Sequence, residues 1–182
     1  MIQKKRPATI EDLYRVEEKA ELVNGEIIIM SPASAGHGRT SGRIFQSLLA
    51  YEERTGQGTA FPDNVGFVVH LPHRQSFSPD AAYIFGSYNE DEFVDGSPAF
   101  AAEVRSPEDF GPAAELALAA KRADYFAAGT LVVWDVDMIR DKVIRVYRAG
   151  SADQPTVYRA GDVAEAEPAV PGWTMAVAEL LR

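Results

Sequence analysis

The stretch "AFAAEVRSPEDFGPAAELALAAKRADYFAAGTLVVWDVD", residues 99–137, decides the fold. It opens with a short apolar run carrying Glu103 and Arg105, and it closes with "TLVVWDVD", whose β-branched and aromatic residues suit a buried strand. Between the two, Pro112 fits the first turn of a helix and Gly129 is a natural stop. Leu116, Ala120, Ala123 and Ala127 recur at helical spacing and read as the buried face of that helix. Strand, helix and strand in this order predict a right-handed βαβ crossover inside a mixed sheet, and so an α/β fold.

Working outward toward the amino terminus, strands are expected over 59–69 and 77–85. An amphipathic helix is expected from Gly38 to Arg54 on Ile44, Phe45, Leu48 and Leu49, closed by Gly56. "ELVNGEIIIM" reads as a hairpin, since Asn24-Gly25 tolerate the positive φ angles of a two-residue turn. Thr9 and Asp12 make a capping-box start for a helix through about Lys19. Toward the carboxyl terminus, "KVIRVYRA" is a further strand and short strands with a "VPGW" turn finish the chain. At 182 residues and 46% hydrophobic the chain has material for one full core, so 1–182 is expected to form a single domain.

Composition narrows the chemistry. The absence of cysteine excludes disulfides, zinc–thiolate sites and cysteine nucleophiles. The basic start "MIQKKRPATIEDL" lacks an apolar core segment, and no run approaches the roughly 20 apolar residues of a membrane span, so a cytoplasmic protein is expected. A formal charge of −9 disfavours non-specific attraction to a polyanion, so a nucleic-acid role must rest on a local basic surface or on metal ions. No G-x-S-x-G, H-E-x-x-H, P-loop or dinucleotide fingerprint is present.

Two carboxylates stand where apolar residues are expected. Asp80 heads the strand in "SPDAAYIF", residues 78–85, and Glu103 lies within "AFAAEVRSP". A buried carboxylate is costly unless paired, hydrogen-bonded or bound to a cation, and two close together make the cost worse. A divalent ion would relieve both, because Mg²⁺ or Mn²⁺ takes one or two carboxylates, a backbone carbonyl and waters. The purely structural reading is that Asp80 caps a Pro-Asp turn while Glu103 pairs with Arg105 or Lys121.

These residues carry a resemblance. "ELVNGEIIIMSP", "HGR" opening a helix, "PD" before a strand, "EVRSPED", "KRADYFAAGTLVVWDVD" and the closing "VPGW" together resemble the Uma-type restriction endonuclease family of the PD-(D/E)XK nuclease superfamily, in order from about Thr9 to Leu181. The resemblance implies a restriction-endonuclease-like α/β core with a mixed central β-sheet flanked by helices, Mg²⁺- or Mn²⁺-dependent cleavage of DNA, and a homodimer. It makes Asp80 and Glu103 metal-binding acids, the Val104 carbonyl a further ligand, and Glu21 an acid that helps to hold the metal or its water. At the lysine position of the motif this sequence has Arg105, which stays protonated and cannot act as a base, and which is expected to lie aside as a substrate-binding partner of a phosphate, or of a carboxylate. The resemblance points instead to Lys121 in the following helix, positioning the attacking water or stabilising the pentavalent phosphorus.

Other polar residues have two readings each. His37, with Arg39 and Arg43 nearby, begins a helix where a phosphate could meet free N–H groups, or it is a loop histidine beside a solvated face. Tyr125, one turn after Lys121, either buttresses that lysine or is core. His70 and His73 have H-x-x-H spacing but no evident third ligand, so zinc is not expected. Glu90, Asp91, Glu92 and Asp95 read as a solvated acidic loop. Arg140, Lys142 and Arg148 fall on one face of a hairpin if strand alternation holds, a potential DNA-contacting edge with Arg145 beside it. Besides a DNA endonuclease, the sequence leaves open an inactive family member acting as a dimeric DNA-binding or interaction module, and a nuclease acting on RNA.

Overall fold

The computed structural model describes residues 6–181, so the basic Lys4-Lys5 start lies outside the described residues. Its centre is a six-stranded sheet built around the predicted crossover. The crossover strand β8 (Phe100–Val104) pairs in parallel with β9 (Val132–Asp137), and α3 (Pro112–Ala128) connects them. Every other pairing in this sheet is antiparallel. On one side β10 (Val143–Arg148) and β11 (Thr156–Tyr158) extend it, and on the other β6 (Ala81–Ile84) and β3 (Thr59–Phe61), giving the order β11-β10-β9-β8-β6-β3.

Smaller elements surround it. A short α1 (Ile10–Leu13) precedes the hairpin of β1 (Ala20–Val23) and β2 (Glu26–Ile29), whose turn residues Asn24 and Gly25 have φ of 54° and 71° as anticipated. The long helix α2 (Ala35–Thr55) follows. β4 (Phe67–Val68), β5 (Ser76–Phe77) and β7 (Val94–Asp95) form a three-stranded sheet, and β12 (Val163–Glu165) pairs with β13 (Thr174–Ala176).

Strand alternation sends neighbouring residues to opposite faces of the large sheet, and each face carries its own core. Phe100, Ala102, Trp134 and Val136 pack with Ile44, Leu48 and Tyr51 of α2 and with Trp173 of the closing "VPGW" turn. Trp134 and Trp173 stack at 4.8 Å between ring centroids, and the Trp173 indole donates to Ser47 Oγ at 3.1 Å. Ala82, Ile84, Ala101 and Val133 face the other way, toward Tyr125 of α3 and Phe77 of β5, whose rings stack at 3.9 Å.

Five local expectations are corrected. The first helix ends at Leu13, its only buried residue, after a single turn, although the Thr9–Asp12 capping box forms. The expected strand 59–69 breaks at Pro62-Asp63-Asn64, where Asn64 adopts φ 67°; that over 77–85 breaks at Pro79, so that β5 and β6 belong to different sheets. The largest correction concerns α3. Leu116 is 74% exposed and Ala120, Ala123 and Ala127 are exposed, while the inward side carries Leu118, Lys121, Arg122 and Tyr125. Alanine fills nearly half of the helix and offers little apolar contrast between faces, so the aromatic ring and the charged partners set its rotation. Lastly, Arg140 and Lys142 lie in the turn before β10, where strand alternation does not apply, and Lys142 takes φ 55°.

Candidate metal-dependent active site

The site forms where β6 begins and β8 ends. Asp80 precedes β6, and its backbone N–H donates to the Ala102 carbonyl at 3.0 Å. Its side chain continues the pairing: Oδ2 accepts the Val104 N–H at 2.7 Å. That is why a strand can open on a carboxylate, since the acid satisfies a buried N–H of the adjacent strand. The same oxygen lies 3.2 Å from His37 Nε2 near the start of α2, and Oδ1 accepts from Lys19 Nζ at 2.6 Å. Burial opposes ionisation, but the His37 hydrogen bond and the Lys19 charge outweigh it and hold Asp80 well below the usual carboxylate range.

Glu103 projects from β8 toward α3. The Tyr125 hydroxyl donates to its Oε1 at 2.6 Å, and Lys121 Nζ lies 2.9 Å away. The same ammonium is 2.9 Å from Glu21 Oε1. Glu21, buried on β1, also accepts the Ser78 N–H at 3.0 Å, and its Oε2 receives Arg74 Nη1 at 2.5 Å. Lys121 and Tyr125 stand one helical turn apart, so one face of α3 grips Glu103 from both sides. Burial alone would lower the Lys121 pKa, but Glu103 and Glu21 raise it above its ordinary value, so it stays an ammonium. Glu103 moves the other way. Burial pushes its pKa up, Lys121 pulls it down, and the negative charges of Asp80 and Glu21 push it up again, leaving it raised.

Lys121 thus joins Glu21 and Glu103, while Asp80 forms a second ion-paired group with Lys19 and His37, tied to the first through its bond to the Val104 N–H next to Glu103. Five further residues surround these two groups. Lys19 also reaches Asp63 Oδ1 at 2.6 Å, and Arg74 Nε donates to Asp124 Oδ2 at 2.8 Å, while His73 Nε2 lies 2.7 Å from Asp124 Oδ1. Of these, only Lys19 had a readable signal, because it lies two residues before Glu21 and a strand puts such pairs on one face. Arg74 and Asp124 come from separate loop and helix segments, and nothing in their local sequence joins them.

The remaining assigned residues lie around this cluster. His37 makes the Asp80 contact, and its Nδ1 is buried with no partner among the described residues; the Asp80 hydrogen bond raises its pKa more than burial lowers it. Arg39 is exposed and Arg43 half-buried on α2, and neither makes an ion pair among the described residues. Arg105 is 5% exposed and held away from Glu103: Nε and Nη2 donate to Asp135 at 2.6 and 2.7 Å, and its other contacts go to Glu115 and the Asp109 carbonyl. His70 and His73 diverge, His70 lying 4.0 Å from exposed Asp95 and His73 meeting Asp124. In the basic hairpin Arg145 pairs with Asp141, Arg148 with Glu165, and Arg140 lies over the Phe110 ring at 4.0 Å.

The donor set suits a hard divalent cation. Glu21, Asp63, Asp80, Glu103 and Asp124 are five carboxylates, met by three permanent cations, Lys19, Arg74 and Lys121. Before either histidine is counted, the excess equals the charge of one divalent ion. Among the described residues no three His, Asp or Glu side chains form a ready cage. An ion here would take one or two carboxylates, a carbonyl and water, which is the habit of Mg²⁺. Among the described residues no helix is long and apolar enough to cross a membrane.

Comparison with known proteins agrees with this architecture. A crystal structure described as "a putative nuclease belonging to DUF820", from Anabaena variabilis, is similar over 96% of this chain and 98% of its own, with a TM-score of 0.75 at 14% identity. At that identity the likeness speaks for the fold. No curated protein is significantly similar to the chain. The profile of the Uma2 family, described as "Putative restriction endonuclease", matches residues 8–178, which takes in the crossover, both strand-end acids and the α3 lysine, and the chain thus belongs to the Uma2 family.

Proposed function

We propose that the protein is a divalent-metal-dependent endonuclease that hydrolyses phosphodiester bonds of DNA by attack of water, and that it acts as a homodimer. Asp80, Glu103 and the Val104 carbonyl would hold Mg²⁺ or Mn²⁺. The observation that carries this reading is the position of Lys121, 2.9 Å from both Glu21 and Glu103, where it supplies from α3 the cation that the motif position itself, Arg105, directs elsewhere. Bound there, the ion would supply Lewis-acid polarisation of the phosphate and neutralise developing charge.

The chain's own residues divide the remaining work. Lys121 is kept protonated by its two acids, so its part is electrostatic: it stabilises charge building on the phosphorus oxygens and does not accept a proton. Glu21 orients that ammonium through Oε1. Arg39 and Arg43, with the free N–H groups at the start of α2, attract the phosphodiester, which the overall acidity of the chain does not. Arg105 anchors the end of β8 through Asp135.

A second reading has support of its own. Each oxygen of Asp80 and Glu103 already faces a protein donor, as expected of an inactive relative that keeps the fold as a dimeric DNA-binding or interaction module. Incubation with supercoiled plasmid separates the two. Nicking that requires Mg²⁺ or Mn²⁺, stops with a chelator and is lost in folded Asp80→Asn and Glu103→Gln variants supports the nuclease. Gel-shift binding without cleavage under either ion supports the module. Light scattering tests the dimer.

A further inference from the structure

Lys19 stands where a divalent ion would have to enter. Asp80 Oδ2 is committed to the Val104 N–H at 2.7 Å and to His37 at 3.2 Å, so the oxygen open to a metal is Oδ1. That oxygen holds Lys19 Nζ at 2.6 Å. A hard ion takes carboxylate oxygens at about 2.0–2.6 Å, and a second positive charge on the same oxygen would repel it strongly. One of the two cations must give way.

Lys19 has somewhere to go. Its ammonium already touches Asp63 Oδ1 at 2.6 Å, and it hangs on a flexible four-carbon stem. The Asp63 side chain is 33% exposed and is steadied by the Asn64 N–H at 2.7 Å, within the turn that breaks the expected strand. The other cations of the cluster lack such an exit. Lys121 is wedged between Glu21 and Glu103, and Arg74 is fixed by Glu21 and Asp124.

We propose that Lys19 is a tethered stand-in for the divalent ion at Asp80, yielding Oδ1 and staying on Asp63 when the ion binds, so that Lys19 and Asp63 together set the affinity of the site for divalent ions. The idea rests on the metal-dependent reading above. It explains how a carboxylate built for an ion is kept neutralised without one, and it gives Asp63 a part that does not require direct ligation.

The test is Mn²⁺ binding, followed by loss of the free-ion electron paramagnetic resonance signal, with the full chain as wild type, Lys19→Met, Lys19→Arg, Asp63→Asn and the Lys19→Met/Asp63→Asn double variant. Lys19→Met should bind at least tenfold more tightly, whereas Lys19→Arg, which keeps the charge, should bind no tighter than wild type. Asp63→Asn should weaken binding several-fold in the wild-type background, and most of that effect should vanish once Lys19 is gone. Mn²⁺ should also raise the melting temperature of Lys19→Met more than that of wild type, and Lys19→Gln serves the same comparison if the methionine variant does not fold. Unchanged or weaker binding by Lys19→Met overturns the proposal. So does an Asp63→Asn loss of equal size in both backgrounds, which would make Asp63 a ligand itself. If no variant binds Mn²⁺, the metal-dependent reading falls with it, whereas tight binding indifferent to Lys19 removes only the role of the lysine.

Discussion

Replacing Lys121 with methionine keeps the aliphatic stem and deletes an ammonium that two acids share at 2.9 Å each. Two effects follow. If the ammonium stabilises the transition state, plasmid cleavage should fall about 10²–10³-fold, equivalent to roughly 2.7–4 kcal/mol. Stability should fall too, because removing one partner of a buried pair costs about 3–5 kcal/mol, and the Lys121 side chain is only 18% exposed. Glu21 retains Arg74 and the Ser78 N–H, so the loss concentrates on Glu103, left with the Tyr125 hydroxyl alone; the lower end of that range is expected.

The loss should also depend on pH in a definite direction. The Glu103 pKa is already raised, by burial first, and would rise further without Lys121. An acid whose folded pKa lies above its unfolded value of about 4.3 destabilises the fold above the folded pKa, and the penalty disappears as pH falls toward the unfolded value. Urea denaturation of Lys121→Met should show its deficit at pH 8 and much less at pH 4.5. Arg105→Met, by contrast, should lose stability through Asp135 yet cleave within several-fold of wild type per folded molecule. An active Lys121→Met beside a folded but dead Arg105→Met would refute the assignment and return the cationic role to the motif position.

Three other outcomes are expected. His37 should titrate above the ordinary histidine value of about 6.5 by NMR, because of its Asp80 hydrogen bond, and Asp80→Asn should bring it down. With its folded pKa raised, its stabilising share is fully present below about 6.5 and lost as pH rises through the folded value, so His37→Ala should cost less stability at pH 9 than at pH 5.5. Gly42 lies exposed in α2 with nothing within 4 Å of an added Cβ, so Gly42→Ala should raise stability by about 0.4–1 kcal/mol in thermal melts. Trp173→Ala should lower it by about 3–5 kcal/mol, since it empties the space against Trp134 and Phe100 and strands Ser47; a loss under about 1 kcal/mol would contradict the two-layer core.

What the sequence determined by itself was whatever is set by contacts between near neighbours. The Asn24-Gly25 turn, the ends of α3 at Pro112 and Gly129, and the Gly56 cap of α2 at φ 65° follow from backbone preferences of single residues. The crossover followed from a strand and a strand with a helix between them, and the two strand-end acids were conspicuous because burying charge is expensive. The lysine on α3 came into view through family resemblance, with no help from periodicity.

Only the tertiary structure decided which way α3 turns and which charges meet. In a helix that is nearly half alanine the apolar contrast between faces is small, so Leu116 could be left in solvent while Lys121 and Tyr125 were drawn inward to Glu103. The partnership of Arg74 with Glu21 and Asp124 spans 53 and 50 residues of chain, and that of Lys19 with Asp80 spans 61. Such ion pairs leave no periodic trace, because each depends on where two separate segments end in space. It is these long-range pairings, made at the ends of two inner strands of the sheet, that turn scattered charges into a site.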